Sequence, residues 1–277
     1  MLAKLLKYEF QATARIFVMM FGVVLVLAVF NAGMLTLFTA INSVILALLT
    51  GLLMFVYVLA TVAMVVATFI ILIVRFYRML GDEGYLWFTL PATASQHILA
   101  KLIVGVIWTT ASLIVVIVSA VVLTLPGWLT HIDQLPIIWQ GLRTQGFQPD
   151  LLLVGTLAAV LLAIIGGLLT SYAAMAIGPN LTKSRLGGSL LAYLILYIIA
   201  QLTSILAALA ALPFILNLTN LVTNLTTDTQ VGLAEVAPQI STAVLLIIGA
   251  EFVFYIGLSV AFYLITRHFL THRLNLA

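Results

Sequence analysis

The chain has 277 residues, of which 64% are hydrophobic and 7% are charged, and its mean hydropathy is +1.29. A soluble domain carries roughly 25% charged residues, so the composition excludes an ordinary globular protein and indicates an integral membrane protein. The chain has no cysteine, which excludes disulfides and thiolate metal sites. Its net charge of +3 is too small to indicate nucleic-acid binding.

Residues 1–15 have an amphipathic helical pattern ahead of the first apolar stretch. Leucines and Phe10 fall on one face. The polar face carries Lys4, Lys7, Gln11 and Arg15. The pattern predicts a helix that lies in the membrane interface before the first span turns inward. A simpler interpretation is a basic anchor that sets topology. Glu9 and the length of the next apolar run argue against a cleaved signal peptide.

Six stretches reach the length of about 20 apolar residues that a membrane-spanning helix needs. They are residues 16–39, 44–74, 102–125, 151–177, 189–216 and 241–266. The sequence therefore predicts an all-α fold in which residues 1–277 form a single transmembrane domain.

The predicted connections differ in length and character. A tight turn is expected near Asn42 and Ser43, and a short loop at 178–188. The loop at 126–150 mixes tryptophans with polar residues and is expected to form a short interfacial helix. The loop at 217–240 is expected to include a short re-entrant piece.

The distribution of basic residues predicts the orientation. With the N-terminus inside, all Lys and Arg except Arg143 fall on the cytoplasmic side, in agreement with the positive-inside rule. Both chain termini and the connection between the second and third spans are therefore predicted to be cytoplasmic.

That connection, LGDEGYLWFTLPATASQHILAK at 80–101, is polar and aromatic between two long apolar runs. Its acids can begin a short helix that Pro91 ends. Thr93 and Gln96 have the spacing of a capping box at the start of the third span. Two interpretations stay open on the residues alone. The segment is either an interfacial turn anchored by aromatic side chains or a docking element for a cytoplasmic partner.

The segment RFYRMLGDEGYLWFTLPATASQHILAK at 75–101 resembles the connection between the second and third spans of ABC-2 type transporter permeases. These are the membrane subunits of ABC exporters in Gram-positive bacteria. The start, KLLKYEFQATAR at 4–15, is similar to the N-terminal interfacial helix of the same family. The six-span layout extends the resemblance over the whole chain, whereas the specific motifs lie within residues 4–101.

The resemblance implies that the short helix between spans two and three is a coupling helix seated on a separate ATPase subunit. The implied contact residues are Asp82, Glu83, Tyr85, Leu86, Trp87 and Phe88. It also implies a permease subunit that exports a peptide, drug or lipid across the bacterial plasma membrane. The chain would pair with a second copy or with a homologous permease.

The sequence has no G-x-x-x-x-G-K-[ST] phosphate loop. ATP and Mg are therefore expected on the partner subunit, and this chain is expected to be no enzyme and to bind no cofactor or metal of its own. The sequence GLSVA around Ser259 lacks the last glycine of a hydrolase elbow, and no histidine lies within a predicted span to act as its base.

Glu251 is the one acid inside a predicted span. A carboxylate at this depth is costly and indicates function by default, either in a path for a cationic substrate or in a proton relay. The plainer interpretation places it near the outer end of the sixth span, hydrogen-bonded to a neighbouring helix or hydrated. A proton relay would fit the alternative function of a self-powered secondary transporter. A membrane scaffold or sensor is a further alternative.

Overall fold

The polypeptide forms long helices joined by short connections. The computed structural model describes residues 2–41, 43–80, 93–128, 134–182, 184–227 and 233–272. The helices are α1 (Leu2–Ile41), α2 (Val44–Leu80), α3 (Ala94–Trp128), α4 (Leu135–Thr144), α5 (Pro149–Ile177), α6 (Arg185–Thr227) and α7 (Leu233–His272). A 3₁₀ turn, Gly178–Asn180, follows α5. All regular secondary structure in these ranges is helical, which confirms the predicted all-α class.

Six of these helices are long and apolar enough to cross a membrane. Their apolar stretches bury little surface inside the protein, and large side chains such as Val44 and Val253 are more than 70% exposed. A soluble monomer rarely exposes continuous apolar surface on this scale. The prediction of a six-span membrane protein is therefore confirmed at the level of helix number, length and composition.

The chain divides into two compact units, residues 1–132 with 270–277 and residues 133–269. In the first unit α1, α2 and α3 all pack against one another. Its apolar core includes Val24, Ala28, Tyr57, Met64 and Leu123. Hydroxyl pairs between helices are typical of membrane bundles. Two such pairs join α2 to α3: the Tyr57 and Ser119 oxygens lie 2.8 Å apart, and those of Thr68 and Ser112 lie 3.0 Å apart.

The start of α3 confirms the predicted capping box. The backbone N–H of Gln96 donates to Thr93 Oγ1 at 3.4 Å, and the backbone N–H of Thr93 donates to Gln96 Oε1 at 3.2 Å. These two bonds satisfy backbone donors that the first turn of a helix leaves without intrahelical acceptors.

The N-terminal residues differ from the prediction. Residues 2–41 form one continuous helix, so the expected turn between an interfacial helix and the first span is wrong. No glycine or proline interrupts residues 2–21. In addition, Glu9, Thr13 and Phe17 form a buried stripe at four-residue spacing, and all three contact α3. Because one face stays packed across residue 15, the helix continues straight into the apolar stretch.

In the second unit, α4 confirms the short helix predicted within the loop at 126–150. It is fastened to the start of α5, because Trp139 Nε1 donates to Asp150 Oδ1 at 3.0 Å and Arg143 forms an ion pair with the same carboxylate. After α4 the chain turns at Gly146, whose φ of 91° lies in the left-handed region. A Cβ at this position would also lie 2.7 Å from the Pro238 ring.

The prediction of a loop with a re-entrant piece at 217–240 is wrong. Residues up to Thr227 belong to α6, and α7 begins at Leu233. The polar residues of this region are mainly Asn and Thr, which lower helix propensity only slightly. The residues beyond the end of the fifth predicted stretch keep a helical spacing of apolar side chains, at Leu218, Leu221, Val222 and Leu225. The helix α6 therefore extends beyond the end of the continuous apolar stretch.

A close backbone contact joins the end of α5 to the start of α6 and leads to a first prediction. A Cβ on Gly188 would collide with the Gly178 carbonyl group, which belongs to the backbone and cannot move aside easily. We expect Gly188→Ala to lower the free energy of unfolding by about 1–3 kcal/mol. The measurement is an SDS titration of the purified protein in mixed micelles.

Gly167→Ala is the matched control, because a Cβ at this α5 position meets nothing within 4 Å. Alanine favours a helix over glycine, so this variant should be as stable as the wild type or slightly more stable. Equal stability of the Gly188→Ala variant and the wild type would contradict the close contact.

Candidate functional site: a buried charge cluster

Three helices bring charged side chains together at the ends of α2 and α3 that flank residues 81–92. Glu9 of α1 accepts hydrogen bonds from Lys101 Nζ at 2.6 Å and from Arg75 Nη2 at 2.9 Å. Arg75 Nε is 3.3 Å from the same carboxylate oxygen as Nη2. We call Glu9, Arg75 and Lys101 the charge cluster. One carboxylate thus links all three helices of the first unit.

The cluster is shielded from solvent to different degrees. The side chains of Glu9 and Lys101 are 5% and 7% exposed, whereas that of Arg75 is 30% exposed. Removing one member of a buried ion pair leaves the other charge without compensation, which is strongly unfavourable. The arrangement therefore fixes α1, α2 and α3 relative to one another, most firmly through the Glu9–Lys101 contact.

The helix ends next to the cluster are packed as tightly as the core. Phe76 and Met79 in the last turns of α2 and Ile98 in the first turn of α3 are fully buried, and His97 is 2% exposed. These residues lie beyond or before the apolar stretches that were predicted to span the membrane. The polar and aromatic segment between α2 and α3 is therefore flanked by two helix ends whose side chains are buried.

An aromatic stack continues the contact between α1 and α3 toward the apolar part of the helices. The Trp108 ring is stacked on Phe10 and Phe17, with centroid distances of 4.7 and 4.6 Å. The Trp108 Nε1–H donates to Thr13 Oγ1 at 2.9 Å. Phe10 and Phe17 are seven residues apart, which places both on the same helix face two turns apart. The side chain of Trp108 fits between them.

The structure separates the residues that the sequence assigned to an interfacial helix. Lys4, Lys7 and Arg15 are exposed on α1. Phe10 is 39% exposed and stacks on Trp108. The basic face is therefore available to solvent or headgroups, while Glu9 and Thr13 face α3.

The predicted docking residues Asp82, Glu83, Tyr85, Leu86, Trp87 and Phe88 lie outside the described residues. The structure describes the two helix ends that flank them. Their assignment to a docking helix stays a prediction from the sequence.

Glu251 lies on α7 and is exposed. The helix continues beyond it to Leu233, and the interpretation that places Glu251 near the outer end of the span stays a prediction. With 1.5 Å of rise per residue, it lies about 5 Å or less from the middle of the apolar stretch 241–266. Ser259 is buried on the same helix.

Sequence reasoning did not find the charge cluster. The signal was present, because Arg75 and Lys101 directly adjoin the second and third apolar stretches and Glu9 is the one acid in a basic N-terminal segment. All three were predicted on the same side of the membrane. The Glu9, Thr13 and Phe17 spacing, in which an acid and a hydroxyl share a helix face with an aromatic ring, was the further clue.

Comparisons of the chain with protein-family models, with curated proteins and with solved structures find no match. Within the described part of the chain, no three His, Asp or Glu side chains are grouped so that they could hold a metal ion.

Proposed function

We propose that this chain is the membrane-spanning permease subunit of an ATP-binding cassette exporter in the bacterial plasma membrane. The segment containing Asp82, Glu83, Tyr85, Leu86, Trp87 and Phe88 docks onto a separate ATPase subunit, which binds ATP and Mg. The chain works with a second copy of itself or with a homologous permease. Its exported substrate reaches the outside through the membrane helices.

The observation that carries this proposal is the position of the charge cluster. The cluster lies near the two helix ends that flank the docking segment. Arg75 donates to one oxygen of the Glu9 carboxylate, and Lys101 donates to the other. A docking element transmits force only when its base is rigid. Buried charged hydrogen bonds and the packing of Phe76 and Ile98 supply that rigidity.

The mechanism follows from the way the charge cluster joins the three helices. When the ATPase subunits close on ATP, they displace the docking segment. Because α2 and α3 are tied to α1 through Glu9, the displacement moves all three helices as one body instead of bending a single connection. The exposed basic face of α1, with Lys4, Lys7 and Arg15, contacts anionic headgroups at the cytoplasmic surface.

Substitutions in the docking segment test the proposal. Trp87→Ala or Phe88→Ala should weaken binding of the ATPase by roughly 1–3 kcal/mol, because aromatic anchors that fill a partner's pocket dominate such interfaces. Glu83→Lys should weaken it too, most at low salt, where charges at an interface rim are least screened. The measurement is co-elution of the permease with ATPase candidates encoded beside its gene, together with the rate of ATP hydrolysis in liposomes.

Matched controls place the same changes on the other predicted side of the membrane. Trp139→Ala on α4 and Glu235→Lys should leave both co-elution and ATP hydrolysis unchanged. Full association and coupling of both Trp87→Ala and Glu83→Lys would show that the segment is an interfacial turn, and the docking assignment would fail.

A further inference from the structure

Glu251 has no counter-charge within the apolar part of the chain. It is the only charged residue in the six apolar stretches, and no Lys, Arg or His occurs in any of them. In the described part of the chain its carboxylate has no hydrogen bond or ion pair. Because a second copy would bring the same stretches, a homodimer contact also offers it no cation at this depth.

The surroundings of Glu251 on α7 are aromatic and partly polar. Glu251, Tyr255 and Ser259 recur every four residues and so form a stripe along one side of the helix. Phe254 lies against Tyr255 in an edge-on contact with 5.7 Å between ring centroids. An organic cation is attracted by the quadrupole of an aromatic ring and by the negative charge of a carboxylate. Both kinds of group occur together here.

Ser259 is an independent indication that the stripe lacks a hydrogen-bond partner. Its side chain is 7% exposed, and its Oγ has no hydrogen-bond partner within the described part of the chain. Gly166 of α5 faces the same place: a Cβ there would lie 3.5 Å from Ser259 Oγ and 3.7 Å from the Tyr255 ring. Buried hydroxyls normally find a partner, so Ser259 has unused hydrogen-bonding capacity at the end of the stripe that packs against α5.

We propose that Glu251 binds the cationic group of the exported substrate, and that the substrate is an amphipathic organic cation. The proposal rests on the proposed function, and it names the substrate class for it. The carboxylate pairs with the cation at mid-membrane depth, and the rings of Phe254 and Tyr255 contact the apolar body. An exposed carboxylate in the apolar stretch is otherwise costly, and the cation offsets that cost.

Binding of tetraphenylphosphonium to the purified permease alone, in phosphatidylcholine nanodiscs, tests the site. The wild type should bind this cation saturably above the level of empty nanodiscs, and should not bind tetraphenylborate, an anion of the same shape. Glu251→Gln should weaken binding about tenfold or more, because it keeps the size of the side chain and removes its charge. Glu251→Asp should retain most of the affinity. Asp150→Asn, which removes an exposed acid outside the apolar stretches, should not change it.

Three outcomes would overturn the proposal: no saturable binding by the wild type, equal binding of the two ions, or unchanged affinity in Glu251→Gln. A protonated carboxylic acid seen by infrared spectroscopy with tetraphenylphosphonium at saturation, and lost in Glu251→Gln, would also overturn it. Because this assay contains no ATPase, its failure removes only the cation site. Failure of the docking experiment removes the exporter assignment instead.

Discussion

Replacing Glu9 with leucine is expected to lower the free energy of unfolding by about 3–5 kcal/mol, the usual loss when one partner of a buried ion pair is removed. The reason is the position of Lys101, whose ammonium group lies 2.6 Å from the Glu9 carboxylate and whose side chain is 7% exposed. Without Glu9 this buried cation loses its closest counter-charge. The measurement is unfolding by SDS in mixed micelles, followed by tryptophan fluorescence.

The other members of the cluster should follow a definite order. Arg75→Leu should cost least, about 1 kcal/mol or less, because the guanidinium is partly exposed and water partly compensates its charge in the wild type. Lys101→Met should be intermediate, since Glu9 keeps its contact with Arg75. The double variant Glu9→Leu/Lys101→Met should be more stable than Glu9→Leu alone, because two apolar side chains can replace a buried pair at little cost.

Two comparisons make this result interpretable. Glu9→Gln keeps the shape of the side chain and provides a folded sample if Glu9→Leu does not fold. Asp150→Asn breaks the ion pair with Arg143, which is more than half exposed on both sides, and should leave the stability unchanged. If Glu9→Leu is as stable as the wild type, or if the double variant loses the sum of the single losses, the cluster does not hold the three helices together.

The number and type of helices could be predicted from the sequence because lipid imposes a simple rule. Each spanning segment must satisfy its own backbone and present apolar side chains over about 20 residues. The capping box at Thr93 and Gln96 and the short helix at Leu135–Thr144 were equally local, since each depends on residues within a few positions. These features need no knowledge of the neighbouring helices.

The helix ends could not be predicted in the same way, because apolar content marks the membrane and not the helix. The backbone of α6 continues to Thr227 through Asn and Thr, and α1 runs without a turn from its charged N-terminal segment into the first apolar stretch. What extends α1 is tertiary: Glu9 and Thr13 have partners on α3 that are 92 and 95 residues away in the chain. Contacts at that separation leave only a weak trace in a single sequence.

The aromatic stack leads to the second large effect. Trp108→Ala is expected to lower the free energy of unfolding by about 3–5 kcal/mol, the usual cost of truncating a buried tryptophan. Trp108 is 5% exposed and its ring lies between Phe10 and Phe17. The alanine variant would leave a cavity between α1 and α3 that the two phenylalanines, held on a continuous helix, cannot fill.

Smaller changes separate the stack from the hydrogen bond. Trp108→Phe keeps a ring between Phe10 and Phe17 and removes the donor to Thr13 Oγ1, so part of its loss comes from that bond, about 0.6–1.7 kcal/mol between membrane helices. Thr13→Val removes the acceptor while keeping the shape. Because both variants break the same bond, their combined loss should be smaller than the sum of the single losses.

Trp139→Phe is the matched control, since Trp139 lies on α4 and donates to the exposed Asp150. It should unfold like the wild type under the same SDS titration. Strict additivity of Trp108→Phe and Thr13→Val would show that the indole N–H and the threonine hydroxyl do not interact in the folded protein. If Trp108→Ala lowers the free energy of unfolding no more than Trp139→Phe does, the aromatic stack does not stabilise the fold. In either case the Glu9 measurement would stand alone as the test of how firmly α1 is tied to α3.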